Sequence, residues 1–223
     1  MNFNRQRPSM HETVYAKLRE QILSLELPPG TSLSEKESAL AFGVSRTPVR
    51  ESFVRLAEEG LVQVLPQRGT FVSRIDPELV EEGRFMREQL ERAVIRLACK
   101  SLPADSLTAL EENLLLQKAS VERKDDRRMF ELDELFHRTL FEGCRKLNIW
   151  ASIQRMNVHL NRSRLLRLTS DHDFSLIYDQ HRQMHEAIQR HDADAADRVM
   201  QEHLSLSITD QAYLQERYPH YYK

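Results

Sequence analysis

The stretch GVSRTPVRESFVRLAEEGLVQVLPQRGTFV, residues 43–72, decides the N-terminal fold. From Val49 to Leu56 apolar residues recur at helical spacing, and a glycine closes the run. The segments 61–65 and 70–74 are then rich in β-branched and apolar residues and flank the turn PQRG, a pattern typical of a β-hairpin. This stretch therefore predicts one helix followed by a hairpin.

Two shorter helices are predicted before this stretch. Apolar residues recur at every fourth position within 11–24, and the Pro-Pro-Gly at 28–30 ends that helix. Ser34 and Glu37 have the spacing of a capping box, which predicts the start of a second helix. Three helices and a hairpin form a winged helix-turn-helix, and we expect this DNA-binding domain to occupy residues 1–75.

The remainder of the chain, residues 76–223, is predicted to be helical throughout. Four of the six glycines precede residue 75, and no strand pattern competes with the helical periodicity that follows. Six helices are expected, over 77–100, 104–123, 126–143, 147–168, 174–190 and 193–216. The predicted fold class is mainly α, with an N-terminal winged helix-turn-helix and a C-terminal antiparallel helical bundle that binds effector and dimerises.

Composition favours a globular cytoplasmic protein. Hydrophobic residues make up 40% and charged residues 30% of the chain, with a net charge of −2. The N-terminus lacks the apolar core of a signal peptide, and no apolar run approaches the roughly 18 residues of a membrane span. Cys99 and Cys144 form no CxxC pair, which suits a reducing compartment. We therefore expect no membrane partner.

Five residues are placed to contact double-stranded DNA. Arg46, Thr47 and Arg50 lie on the first turn and a half of the third helix, the part of a recognition helix that enters the major groove. An arginine there can bind O6 and N7 of guanine together. Arg68 and Gly69 at the hairpin tip are suited to the minor groove, because glycine permits close backbone approach.

A simpler interpretation is that the arginines of the third helix only solvate its exposed face. Charged side chains on a helix surface commonly do no more than this. The arginines would then pair with nearby acidic residues, namely Arg46, Arg50 and Arg55 with Glu51, Glu58 and Glu59. The sequence pattern over the whole N-terminal region, residues 14–72, distinguishes these two interpretations.

That pattern resembles the GntR family of bacterial repressors. The family signature runs PG-x-x-L-x-E, GVSRTPVRE, L-x-x-EGLV and RGTFV, and residues 14–72 match it nearly letter for letter. The resemblance implies that the five residues above touch operator DNA. Lys36 stands where the family usually has an arginine that contacts DNA. Lysine keeps the charge but lacks the bidentate fork of arginine.

In the helical region, Asp133, His137, His181 and His203 are candidate metal ligands. Asp133 and His137 are four residues apart, a spacing that puts them on one helical face. His181 and His203 each lie about ten residues from the predicted turn near His191, so antiparallel helices would bring their imidazoles level. The alternative is that these histidines are hydrogen-bonded core residues.

The spacing of these four residues resembles the FCD effector domain of the FadR-like GntR subgroup. There the segments D-x-x-F-H, EHR-x-x-x-x-AI and M-x-x-HL supply one Asp and three His to a divalent metal ion. Such a ligand set suits zinc or nickel and leaves positions open for a carboxylate. His185, one turn after His181, offers an extra ligand or hydrogen-bond partner.

Three arginines are candidates for binding an anionic effector. They are Arg87, Arg162 and Arg164. For Arg87, an i, i+4 salt bridge to Glu91 is an equally good interpretation. The family resemblance makes a small carboxylate or sugar acid the expected effector.

The sequence is compatible with three functions. The favoured one is a sequence-specific regulator, a repressor of a catabolic operon, that binds its operator as a homodimer because two-fold operators need two reading heads. The second is a metal-dependent hydrolase that uses the Asp/His cluster. No HExxH, GxSxG or P-loop supports an enzyme. In the third, the helical domain serves only to dimerise the protein.

Overall fold

The computed structural model describes residues 10–168 and 174–223, which form two compact units. The N-terminal unit extends to Asp76 and also includes Tyr218–Lys223, and the helical unit is Pro77–Arg217. Within these described residues, no helix combines the length and apolar character needed to cross a membrane.

The N-terminal unit is a winged helix-turn-helix, as predicted. Its strands form one antiparallel sheet in the order β1-β3-β2. The two-residue strand β1 was not predicted, because so short a segment shows no alternation. The elements are α1 (Met10–Leu23), β1 (Ser32–Leu33), α2 (Glu35–Phe42), α3 (Arg46–Glu58), β2 (Val62–Leu65) and β3 (Gly69–Val72).

Both ends of α2 have capping residues. The Ser34 hydroxyl accepts a hydrogen bond from the backbone N–H of Glu37 (3.3 Å), as the capping-box pattern predicted. Gly43 ends α2 in the left-handed conformation, at φ 66°. Ile22 of α1 and Leu56 of α3 are fully buried, whereas Arg46 and Thr47 at the N-terminal end of α3 are exposed.

The last six residues were predicted to belong to the helical domain, but they lie in the N-terminal unit. The Ile75 N–H donates to the carbonyl of Tyr221 (2.7 Å), and the Lys223 N–H donates to the carbonyl of Ile75 (3.0 Å). Tyr222 is buried between these two bonds, and the Lys223 ammonium pairs with Asp76 (2.6 Å). Because the β-bridge between Ile75 and Tyr222 joins residues far apart in the chain, no local sequence pattern could predict it.

The helical unit is all α, with boundaries close to those predicted. The exception is 147–168, expected as one helix but interrupted at Asn157, which ends α7 and whose side chain is fully buried. Its core is formed chiefly by α4, α6, α9 and α10. The helices are α4 (Pro77–Lys100), α5 (Ala104–Arg123), α6 (Asp126–Gly143), α7 (Leu147–Met156), α8 (Val158–Leu168), α9 (Ser175–Gln189) and α10 (Ala193–Arg217).

Candidate nucleic-acid interface and candidate metal centre

All six residues predicted to contact DNA are exposed. Three lie at the start of α3, where Val49 and Phe53 turn the opposite face of the helix into the core. Two lie at the tip of the β2–β3 hairpin and one at the start of α2. The exposed set is Lys36, Arg46, Thr47, Arg50, Arg68 and Gly69.

Arg50 is bound by Glu35, a residue that was not among its expected acidic partners. Arg50 donates from Nε and Nη2 to the two oxygens of Glu35, at 2.9 and 3.0 Å. This pair lowers the pKa of Glu35 and raises that of Arg50. The partner of Arg50 is therefore not one of the acidic residues expected from α3. Arg55 lies over the ring of Tyr15, 3.8 Å from its centroid.

Two residues at the hairpin tip have positive φ angles, a backbone conformation that glycine adopts more easily than other residues. Gly69 has φ 108°, a value that strains other residues, and Gln67 also has a positive φ, of 62°. Arg68 stands exposed between them. The tip therefore presents a cation on a tightly turned backbone.

In the helical unit, four side chains converge in the buried interior. Their ligand atoms all lie within 4.8 Å of one another, and the four are Asp133, His137, His181 and His203. Oδ1 of Asp133 lies 3.6–3.8 Å from each of the three Nε2 atoms, and Nε2 of His137 lies 3.1 Å from Nε2 of His203. Ligand atoms about 2.1 Å from one ion lie about 3.4 Å apart in a tetrahedral site, so the separations of 3.1–3.8 Å suit such a site.

Three helices position these atoms. Asp133 and His137 are one turn apart on α6, whereas His181 is on α9 and His203 on α10. The ring of Phe136 stacks on His181, with centroids 4.2 Å apart. The four candidate ligands predicted from the sequence are thus brought together, held by side chains of the core.

Each imidazole presents Nδ1 to an oxygen acceptor. The pairs are His181 with Oε1 of Gln117 (2.9 Å), His203 with Oε1 of Gln180 (3.1 Å) and His137 with the carboxylate of Glu91. An acceptor at Nδ1 places the proton there, and each Nε2 then keeps a lone pair directed at the cluster. Sequence reasoning missed the two glutamines and this role of Glu91.

The charge states also suit a metal ion. Burial lowers the pKa of His181 to about 3, and burial together with the neighbouring imidazoles lowers the pKa of His203. Burial opposes ionisation of Asp133, yet Arg164 and the imidazoles hold its pKa well below the usual value. Oδ1 of Asp133 and Nε2 of His181 are buried without a hydrogen-bond partner. The donor set therefore fits a borderline divalent ion.

A network of charged groups surrounds the cluster. Arg164 donates to Oδ2 of Asp133 and, at 2.5 Å, to Glu134. Arg87 forms the i, i+4 salt bridge to Glu91 (2.5 Å), and its Nη1 lies 3.7 Å from Glu134. Two of the three candidate effector arginines thus lie beside the cluster.

The remaining candidate arginine is Arg162, and the possible extra ligand is His185. Arg162 is fully buried and donates within α8, to the carbonyl of Val158 (3.2 Å). His185 does not join the four ligand atoms. It faces Glu111 and the backbone of Leu107, and burial lowers its pKa.

Comparisons with known proteins give the family. Residues 10–72 match "Bacterial regulatory proteins, gntR family" and residues 83–206 match the FCD domain. The HTH-type transcriptional repressor RspR of Escherichia coli (strain K12) is 37% identical over 195 residues, which cover 87% of this chain and 86% of that protein. The gluconate operon transcriptional repressor of Bacillus licheniformis is 30% identical over 193 residues, covering 84% and 79%. The solved structure of E. coli McbR/YncC has the same fold, with a TM-score of 0.79 at 21% identity, and covers 95% of this chain and 100% of that one.

Proposed function

The chain belongs to the GntR family of bacterial transcription regulators and carries an FCD domain, and we propose that it represses a catabolic operon under the control of a sugar acid or other small carboxylate bound near a metal ion. Family membership makes it a DNA-binding regulator and not an enzyme. The hydrolase interpretation of the Asp/His cluster therefore has no support.

The observation that carries the proposal is the buried cluster of one carboxylate and three imidazoles, in which Oδ1 of Asp133 and Nε2 of His181 have no hydrogen-bond partner. Asp133, His137, His181 and His203 would hold the ion, and zinc or nickel suits this donor set. When bound, the ion would supply a Lewis-acid position for an effector carboxylate. Arg87 and Arg164 lie next to the cluster and would bind the same anion. Among the relatives, the gluconate operon repressor makes a sugar acid the first candidate.

For DNA, we propose that α3 enters the major groove. Arg46 and Arg50 would read base edges, while Thr47 and Lys36 would contact phosphates or bases at the groove edge. The hairpin tip would follow the adjacent minor groove with Arg68. A homodimer would place two such heads on a two-fold operator.

Operator selection from randomised duplex DNA tests the DNA half of the proposal. Wild type, Arg46→Ala and Arg50→Ala are compared at one salt concentration, because phosphate contacts are salt-sensitive. Arg127→Ala is the control, since Arg127 is an exposed arginine of the helical unit. Wild type and control should enrich one palindrome. Each α3 variant should lose about 1–3 kcal/mol of discrimination. Equal selection of the same site by all four proteins would refute the assignment.

Metal content and ligand response test the sensor half. Wild-type protein and His185→Ala should retain about one divalent ion per chain after dialysis, whereas His203→Ala should not. Gluconate, used as the probe, should lower the affinity of the wild-type protein for operator DNA. Because the two binding equilibria are linked, operator DNA should lower the affinity for gluconate by the same factor. If neither metal removal nor any small acid alters DNA binding, the helical unit serves only in dimerisation.

A further inference from the structure

The chain passes between the two units twice, once at each end of the helical unit. It enters the helical unit after Asp76 and returns to the N-terminal unit after Arg217, the last residue of α10. The returning segment, Tyr218–Lys223, belongs to the N-terminal unit although the whole helical unit separates it from Asp76 in the chain. The N-terminal unit is therefore completed by residues that come after the helical unit.

The returning segment binds just beyond the end of β3. The Ile75 N–H donates to the carbonyl of Tyr221 and the Lys223 N–H donates to the carbonyl of Ile75, so the two backbones pair on both sides of Tyr222. Ile75 and Tyr222 are both buried, and the Lys223 ammonium pairs with Asp76. We call residues 218–223 together with Ile75 and Asp76 the C-terminal clasp. The clasp holds the residues that join β3 to α4.

Within the helical unit, the end of α10 is tied to the start of α4. Gln211 of α10 donates from Nε2 to the carbonyl of Pro77 (3.0 Å), the first residue of α4. Leu214, on the next turn of α10, is buried. Pro77 directly follows Asp76 of the clasp. The folded helical unit thus holds the two chain ends that lead into the clasp close to each other.

Loop closure gives the size of this effect. With the helical unit unfolded, closing the clasp would close a loop of roughly 150 residues, whereas with Gln211 bound to Pro77 the remaining path is roughly 13 residues. The probability that the ends of a flexible chain meet falls as about the 3/2 power of its length, so the folded helical unit favours the closed clasp by about 40-fold. Closing of the clasp and folding of the helical unit therefore favour each other by the same factor.

We propose that the C-terminal clasp couples the order of the helical unit to DNA binding by the N-terminal unit. The base of the hairpin ends directly before the clasp, where the Ser73 N–H donates to the carbonyl of Leu61 (3.0 Å). A closed clasp fixes Ile75 and keeps this base in place, whereas an open clasp loosens the strand that leads to Arg68 at the hairpin tip. The coupling goes beyond the proposed function, because it requires only the DNA binding common to the family and neither a metal ion nor an effector.

Hydrogen–deuterium exchange of the full-length protein, read by mass spectrometry of peptides that cover residues 73–76 and 218–223, tests the coupling. Gln211→Ala changes only the helical unit, where it removes the hydrogen bond to Pro77. It should nevertheless speed exchange in both peptides by about fivefold, the effect of one hydrogen bond. Gln201→Ala is the matched control, because it makes the same change at an exposed position of the same helix. Its exchange in both peptides should equal that of the wild type.

A chain that ends at Arg217 provides the second measurement, because it has no clasp. It should bind the selected operator at least fivefold more weakly than the wild type, the lower end of the coupling between linked sites. Adding Gln211→Ala to this shortened chain should not change exchange in residues 73–76 any further. Equal exchange in wild type and Gln211→Ala, or an equal increase in Gln201→Ala, would overturn the coupling. Wild-type operator affinity in the shortened chain would overturn its link to DNA binding, whatever the metal and effector experiments show.

Discussion

Replacing Glu91 with glutamine should destabilise the helical unit strongly, because it removes the counter-ion of a buried arginine. Arg87 and Glu91 are 3% and 1% exposed, and Nε lies 2.5 Å from Oε1. Removing one partner of a buried pair costs about 3–5 kcal/mol. Despite burial, Arg87 and His137 lower the pKa of Glu91 from 4.5 to about 2.

Two matched variants isolate the cause. Glu88→Gln changes an i, i+4 pair on the same helix that is less buried, 14% and 17% exposed. Arg84 keeps Glu81, and Arg92, which also pairs with Glu88, keeps Asp197. That variant should cost no more than about 1 kcal/mol. Arg87→Met combined with Glu91→Gln removes the isolated cation, so it should recover more than half of the stability lost in Glu91→Gln.

The assay is thermal unfolding of the full-length proteins, followed by circular dichroism with a chelator present, since bound metal would stabilise the folded state by mass action. Glu91→Gln should lower the melting temperature of the helical unit by about 10 °C. Divalent-metal affinity should fall about 10- to 100-fold in both variants at position 91, because the acceptor at Nδ1 of His137 changes. A cost below that of Glu88→Gln would refute the buried-pair argument.

Three further predictions concern other parts of the chain. Glu35→Gln should reduce the ratio of the protein's affinity for operator DNA to its affinity for random-sequence DNA, measured by fluorescence anisotropy, because Arg50 loses the carboxylate that orients it. An unchanged ratio would contradict this. Tyr222→Ala should destabilise the N-terminal unit by about 3 kcal/mol in urea unfolding, since this buried ring would leave a cavity, and wild-type stability would show that the C-terminal bridge contributes little. Glucarate should bind the full-length protein about tenfold more weakly than gluconate in calorimetry, since its second carboxylate adds an uncompensated charge; equal binding of the two acids rules out this charge argument.

Features with a local cause could be predicted from the sequence. The helix boundaries follow from apolar periodicity and from caps such as Ser34, and most predicted helices agree with the structure within one or two residues. Strand β1 and the bridge from Ile75 to Tyr222 depend on partners far along the chain. Asn157, where the helix is interrupted, packs its buried amide against Gly83, 74 residues earlier in the chain. No pattern within one segment encodes such partners.

In the candidate metal centre too, the features with a local cause were predictable and those that depend on distant residues were not. The i, i+4 spacing of Asp133 and His137 is local, and His181 and His203 have matched spacings from the turn near His191. The family resemblance was needed to join the two pairs into one metal site. The acceptors that orient the imidazoles are not local. Gln117 is 64 residues from His181, and a glutamine on a mostly polar helix carries no signal of its own. The carboxylate of Glu91 was visible only as a partner of Arg87, because its contact with α6 arises from packing.

The charges of the network explain why a metal ion and a monoanion would act together. Two guanidinium groups and three carboxylates contact one another, giving a sum of −1 while the imidazoles are neutral. A bound divalent ion changes this sum to +1, and one carboxylate then brings it to zero. Uncompensated charge is costly in a buried site. The site should therefore repel an acid before the ion is present and favour a monocarboxylate afterwards, so effector sensing depends on metal loading through charge balance as well as coordination.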